Sequence, residues 1–221
     1  MPTFAWILIF SLLTGVLSVL AAATFLLLPE RYRRRLIPHL VSFAIGSLLG
    51  AAFLGLLPHA LASQSTAEIH NIFLAVLVGL LGFFLLEKFV LWRHCHSDHC
   101  EAHAPESQEQ QKQPRERAAG TLVLVGDAMH NFVDGILLSA AFLTDIHLGV
   151  VTAIAIAAHE IPQEVGDFVV LLHSGFSRRR ALIFNVISSL ATLIGATLAY
   201  LWLTEMASIL PYVLAVAASS F

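Results

Sequence analysis

The feature that most constrains this chain is the recurrence of long apolar runs: Phe4 to Leu28, Leu40 to Leu61, Asn71 to Trp92, Gly120 to Leu143, Leu148 to Leu172 and Ala181 to Leu203. Each can cross a hydrocarbon core about 30 Å thick as a helix of roughly 20 residues. Of 221 residues 57% are hydrophobic and 12% charged, against a soluble norm of about a quarter charged. The pattern specifies an all-α, polytopic membrane helix bundle forming one transmembrane domain over residues 1–221. A seventh run opens at Ile209 and reaches Phe221 after only 13 positions, too few to span, so the chain reads as C-terminally incomplete. No basic segment precedes the first run, which is too long for a secretory signal, so it reads as a retained helix.

All 12 Lys and Arg fall at alternate ends of these runs. Arg31, Arg33, Arg34 and Arg35 follow span one. Lys88, Arg93, Lys112, Arg115 and Arg117 lie at or after the end of span three, and Arg178, Arg179 and Arg180 follow span five. The positive-inside rule puts those ends in the cytoplasm and the N-terminus outside.

Residues 93–119 break the hydropathy with Gln, Glu, Pro and Ser and read as a mobile cytoplasmic loop. Its first part carries His94, Cys95, His96, His99, Cys100 and His103. Imidazole and thiolate are ligands that zinc prefers, which suggests an adaptable metal-holding loop; a solvated polar loop is the plainer alternative.

Span four places Asp127, His130, Asn131 and Asp134 at i, i+3, i+4 and i+7, which is one helical face. Span five carries His159, Glu160, Gln163, Glu164 and Asp167 at similar spacing. A short turn, Thr144 to His147, makes the two spans an antiparallel hairpin. Counted from its midpoint, Asn131 falls level with Glu160 and Asp127 level with Glu164. Five carboxylates near mid-membrane would cost on the order of 12 to 18 kcal/mol if ionised and uncompensated. Neither span holds a Lys or Arg, which leaves protonation, water in a cavity, or bound cations. Metal coordination accounts for the whole constellation; proton relay accounts for the acids but not for the Asn and Gln. The N/O donor set suits zinc, iron(II), manganese or cadmium, and the absence of intramembrane Cys argues against a dedicated copper(I) site. Pro162 removes a backbone hydrogen bond beside these residues.

Plainer readings stand beside these. Asp127 and Asp167 lie toward the cytoplasmic ends, where solvation alone would suffice. Gln163 can serve as an interhelical hydrogen-bonding group. His59, in "LLPHA", is as fit for an interface as for a metal path, and His39, His70, His147 and His173 sit near span ends as interfacial residues. "HEIPQ" begins like the zincin signature, but Gln163 stands where the second histidine belongs, which disfavours an intramembrane metalloprotease. The chain reads as a non-enzyme without nucleic-acid partners. A membrane metal sensor that binds without translocating remains the other class.

"HNFVDG" at 130–135 together with "HEIPQEVGDF" at 159–168 resembles the ZIP (Zrt/Irt-like) family of divalent-metal transporters. The "LLPHA" segment, the His-rich loop and the basic residues after span five add to the likeness. The resemblance implies eight helices with both termini outside, a binuclear site between spans four and five, import of zinc into the cytoplasm, a homodimer, and residence in the plasma (inner) membrane. Carried over by position, the metal ligands are His130, Asn131 and Asp134 on span four and His159, Glu160, Gln163 and Glu164 on span five. Asn185 of span six approaches the second metal by analogy, and Asp127, Asp167 and His59 line the path. Gln163 departs from the usual His or Glu and weakens the second metal position. Gly55 departs where many members with His-rich loops carry a histidine.

Overall fold

The computed structural model describes residues 2–62, 64–95 and 108–220. Seven helical rods account for nearly all of them: α1, Thr3–Phe25; α2, Glu30–Leu61; α3, Thr66–Cys95; α4, Gln108–Thr144; α5, Ile146–His173; α6, Arg178–Leu203; and α7, Leu210–Ser220. The first six rods carry the six expected spans, and α7 carries the short seventh run.

Five stretches among the described residues are both long and apolar enough to cross a membrane: Thr3–Phe25, Glu30–Leu61, Glu68–Leu85, Gly120–Thr144 and Arg178–Leu203. Span five is not among them. At 28 residues α5 has the length, and its polar residues between His159 and Asp167 lower its hydropathy. The polar face of α5 is therefore what makes it less apolar than the other spans.

The boundaries differ from the sequence reading at three places. α2 begins at Glu30, so Arg31, Arg33, Arg34 and Arg35 occupy its first turns rather than a loop. Residues 93–95 close α3, and α4 begins at Gln108, so the loop expected to run to Ala119 is helical over its last part. The segment "QEQQKQPRERAA" is made largely of strong helix formers, which hydropathy does not register. Of the six expected loop ligands, His94 and Cys95 fall on the last turn of α3, whereas His96, His99, Cys100 and His103 lie outside the described residues.

Two π-helical stretches, Leu13–Leu17 in α1 and Ala51–Leu56 in α2, were not anticipated. Such bulges shift the face that a helix presents and recur at functional sites.

The rods pack as two groups. α1, α4, α5 and α6 form one, with α4 lying most extensively on α6. α3 and α7 pair beside α2 in the other, and α2 meets α5 across the seam. The α4–α6 contact is close because glycines face backbone on both sides: a Cβ at Gly135 would strike the Thr192 carbonyl, and one at Gly195 the Phe132 carbonyl. Small residues are how membrane helices approach when no hydrophobic force drives them together. Ile7, Leu138, Phe142, Ala153, Ile156 and Ala196 interlock α1, α4, α5 and α6 near the Asp145 turn. Phe168, Leu171 and Ala181 pack the opposite end.

Candidate metal centre

The α4–α5 hairpin is tighter than expected. Asp145 alone separates the helices and caps α5, its Oδ1 accepting from the backbone N–H of His147 at 2.8 Å and of Leu148 at 3.1 Å. Placing the pivot on Asp145 rather than half a residue later shifts the register across the hairpin. Asp127 and Gln163 both lie 18 residues from Asp145. Accordingly Gln163 Nε2 donates to Asp127 Oδ1 at 3.3 Å, and the expected Asp127–Glu164 layer is replaced by Asp127–Gln163. His130 Nε2 meets His159 Nε2, and Asn131 makes no hydrogen bond to Glu160.

Four side chains converge in the middle of the hairpin. His130, Asp134, His159 and Glu160 each offer one ligand atom, and all four atoms lie within 4.8 Å of one another. His159 Nε2 is 3.1 Å from His130 Nε2, 3.1 Å from Asp134 Oδ2 and 3.7 Å from Glu160 Oε1. His130 Nε2 is 3.9 Å from Asp134 Oδ2 and 3.8 Å from Glu160 Oε1. A tetrahedral zinc with bonds of 2.0–2.2 Å sets its ligand atoms about 3.3–3.6 Å apart. The five separations straddle that range, so small adjustments would bring the set onto an ion.

The chemistry of the cluster favours a cation as well. Asp134, His159 and Glu160 are buried and His130 is half-exposed. His159 Nδ1 donates to the Ala155 carbonyl at 3.1 Å, which fixes the ring and turns Nε2 toward the other three side chains, where it could hold a metal. Neither carboxylate oxygen of Glu160, which is 1% exposed, accepts a hydrogen bond from a described residue. A buried acceptor so placed costs desolvation free energy unless something positive compensates it.

Beside the cluster lies a hydrogen-bonded network. Asn131, buried, donates to Asp127 Oδ1 at 2.9 Å and to the Asp127 carbonyl at 3.1 Å, while its own Oδ1 accepts from Thr192 Oγ1 at 2.8 Å. Ser188 Oγ donates to Asp127 Oδ2. Asp127 is only 4% exposed, so solvation does not account for it; donors from α4, α5 and α6 do. Glu164 is fully buried on the side of α6 that carries Asn185, and neither of its carboxylate oxygens accepts a hydrogen bond from a described residue; Asp167 is half-buried farther along α5.

Of the seven ligands carried over by position, the structure brings four together and leaves three beside them. Asn131 and Gln163 are occupied with Asp127, and Glu164 faces α6. Gln163 donating to Asp127 is the interhelical role weighed for it, and not the second-histidine role a zincin would need. Ser188 and Thr192 were missed. With Asn185 and Ser189 they repeat the i, i+3, i+4, i+7 spacing of α4's polar face, a signal that Ser and Thr hide because membrane helices tolerate them readily.

A family described as ZIP zinc transporter matches residues 3–96 and 91–221. The chain belongs to the ZIP zinc transporter family. Curated relatives agree: the zinc transporter ZIP13 of Pongo abelii is 35% identical over 167 residues, covering 71% of this chain and 46% of that protein. The zinc transporter YKE4 of Saccharomyces cerevisiae is 30% identical over 174 residues, covering 76% and 49%. The zinc transporter SLC39A7 of Mus musculus is 29% identical over 236 residues, covering 76% and 49%. The chain spans about half the length of these curated relatives. This ZIP chain is an integral membrane protein.

Proposed function

We propose that this protein carries zinc across the membrane through the site formed by His130, Asp134, His159 and Glu160, importing it toward the cytoplasm. The observation that carries the reading is the convergence of two imidazoles and two carboxylates within 4.8 Å, with the Glu160 oxygens given no hydrogen-bond donor. The ion is the substrate, and mixed N/O ligands release zinc more readily than four thiolates would. Iron(II), manganese and cadmium suit the same donors and form the secondary substrate class.

A second ion is held alongside by Glu164 and Asn185, with Asp127, Asn131 and Gln163 giving up hydrogen bonds to one another as it arrives. Asp167 then passes the ion toward the basic, cytoplasmic ends, where His94, Cys95, His96, His99, Cys100 and His103 buffer it. With the Arg-rich ends inside, the N-terminus and the Asp145 turn face outward. The working unit is a homodimer in the plasma membrane.

Zinc uptake into proteoliposomes, followed with an enclosed zinc-sensitive dye, tests the reading. Uptake by the unaltered chain that both His159→Ala and Asp134→Ala abolish is the expected result. Zinc binding without uptake would turn the reading toward a sensor.

A further inference from the structure

The positive-inside rule asks for basic residues on one side of a membrane and is indifferent to which helix ends carry them. The helix dipole is not indifferent: cations are favoured at C-termini and disfavoured at N-termini. Of the helices that end on the Arg-rich side, α3 carries Lys88 and Arg93 near its end. The last turn of α1 holds no basic residue, and that of α5 holds only His173. Instead Arg31, Arg33, Arg34 and Arg35 crowd the first turns of α2, and Arg178, Arg179 and Arg180 are the first three residues of α6. These arginines stand where helix electrostatics opposes them.

Among the described residues little offsets that charge. The first turn of α6 has no carboxylate. That of α2 has Glu30, 3.9 Å from Arg34 Nε with both side chains exposed, a pair that contributes little. Arg31 and Arg35, four apart, repel each other on one face. Backbone donors are open too: Pro29 gives α2 no side-chain cap, and the Ser177 side chain accepts only from the Arg180 N–H, at 3.4 Å. Arg33 Nε is buried and donates to no described residue.

The two groups share one rim. Leu26, just past α1, packs against the cluster that holds Ala181 of α6, and α2 begins four residues later, at most ~14 Å of chain away. Beside the arginines, Leu27, Leu28, Tyr32, Leu36 and Ile37 are exposed. Helix N-termini and guanidinium forks suit phosphate oxygens, and the apolar side chains suit acyl tails. A free phosphate would leave the second half of that surface unused.

We infer that the openings of α2 and α6 together bind one anionic phospholipid, its phosphate held between the two arginine groups and its acyl chains lying along α2; this holds whether or not the chain moves metal. Paired donors in a fixed fork distinguish arginine from lysine, which a diffuse attraction to a charged surface does not.

Native mass spectrometry of the full chain in detergent, on monodisperse fractions titrated with phosphatidylglycerol or phosphatidylcholine, tests this. The unaltered chain should hold one phosphatidylglycerol about tenfold or more tighter than phosphatidylcholine. Each arginine near an anionic headgroup contributes about fivefold. The variants Arg31→Gln/Arg34→Gln/Arg35→Gln and Arg178→Gln/Arg179→Gln/Arg180→Gln should therefore each weaken that same lipid on the order of 100-fold. Lysine at the same positions keeps charge and helix propensity, and should still weaken it about tenfold. Equal retention of the two lipids overturns the inference, as do lysine variants that hold phosphatidylglycerol like the unaltered chain. Two triple variants that each remove a different lipid would mean two separate sites. Displacement by an equal concentration of inorganic phosphate would make a soluble anion the ligand, and either result refutes a shared lipid site.

Discussion

Replacing His159 by alanine is the perturbation that most directly probes the cluster, because its Nε2 makes an edge with each of the other three ligand atoms, at 3.1, 3.1 and 3.7 Å. A water can take the fourth place on zinc, as it does in open sites, but nothing would hold it as the Ala155 carbonyl holds the imidazole. Disturbing only the outer hydrogen bond of a metal-bound histidine costs 10–100-fold in affinity. Loss of the ligand itself should then cost about 100-fold or more. With zinc at 100 times the dissociation constant of the unaltered chain, binding stabilises the fold by about 2.7 kcal/mol. A 100-fold weaker site at the same zinc concentration retains RT ln 2, about 0.4 kcal/mol. Unfolding in detergent with and without zinc measures both. His173→Ala is the control, since His173 makes the same Nδ1 bond to a carbonyl four residues back, Val169 at 2.8 Å, but is exposed and outside the cluster. The reasoning fails if His159→Ala keeps the full zinc stabilisation, or if His173→Ala loses as much.

Glu160→Gln removes a buried charge that no described residue hydrogen-bonds, so the metal-free protein should unfold no earlier than the unaltered chain while zinc uptake is lost; a variant that still transports would take Glu160 out of the ligand set. Gln163→Glu sets an acceptor against Asp127 Oδ1 where a donor now stands. It should destabilise the metal-free state and raise the number of zinc ions bound per chain in equilibrium dialysis, and an unchanged count would show that Gln163 does not limit the second position. Thr192→Val leaves Asn131 Oδ1 without its Thr192 donor, at a cost of about 0.6 and up to ~1.7 kcal/mol in mixed-micelle unfolding; no change would mean that the bond does not form. Gly135→Leu drives a side chain into the Thr192 backbone and should yield aggregated protein on size-exclusion chromatography, and a monodisperse product would refute the close α4–α6 contact.

How legible the fold was in the sequence depended on which physical signal each part carries. Span positions follow from burial of apolar side chains in lipid, and hydropathy reports that directly; the first six rods fall on the six runs. Helix ends follow from backbone propensity and capping, which hydropathy does not see. α2 consequently extends back through its arginines to Glu30 and α4 back to Gln108. The π stretches are subtler, since they depend on how one helix seats against its neighbour rather than on its own residues, and nothing in "AAFLGL" marks one.

The site shows the same division between what one helix dictates and what two helices dictate together. Spacing along a single helix placed each polar face correctly, because a 3.6-residue period leaves no freedom about which residues share a face. Register across the hairpin had such freedom. With one residue in the turn instead of four, Asp127 meets Gln163 rather than Glu164, and an amide takes the place that a carboxylate was expected to hold. The third wall was harder still to see. Ser188 and Thr192 carry no charge and cost little in lipid, yet they occupy Asp127, an expected path residue, and Asn131, an expected ligand, beside the four-residue cluster. That arrangement bears on ion number. Neither the Glu160 nor the Glu164 carboxylate accepts a hydrogen bond from a described residue, but a second ion at Glu164 has to compete with the donors from α4, α5 and α6 for Asp127 and Asn131. The first ion should therefore bind the four-residue cluster more tightly than the second binds beside it. Two resolved steps in a calorimetric zinc titration of the unaltered chain, the weaker one alone strengthened by Ser188→Ala, would bear this out; equal affinities would refute it.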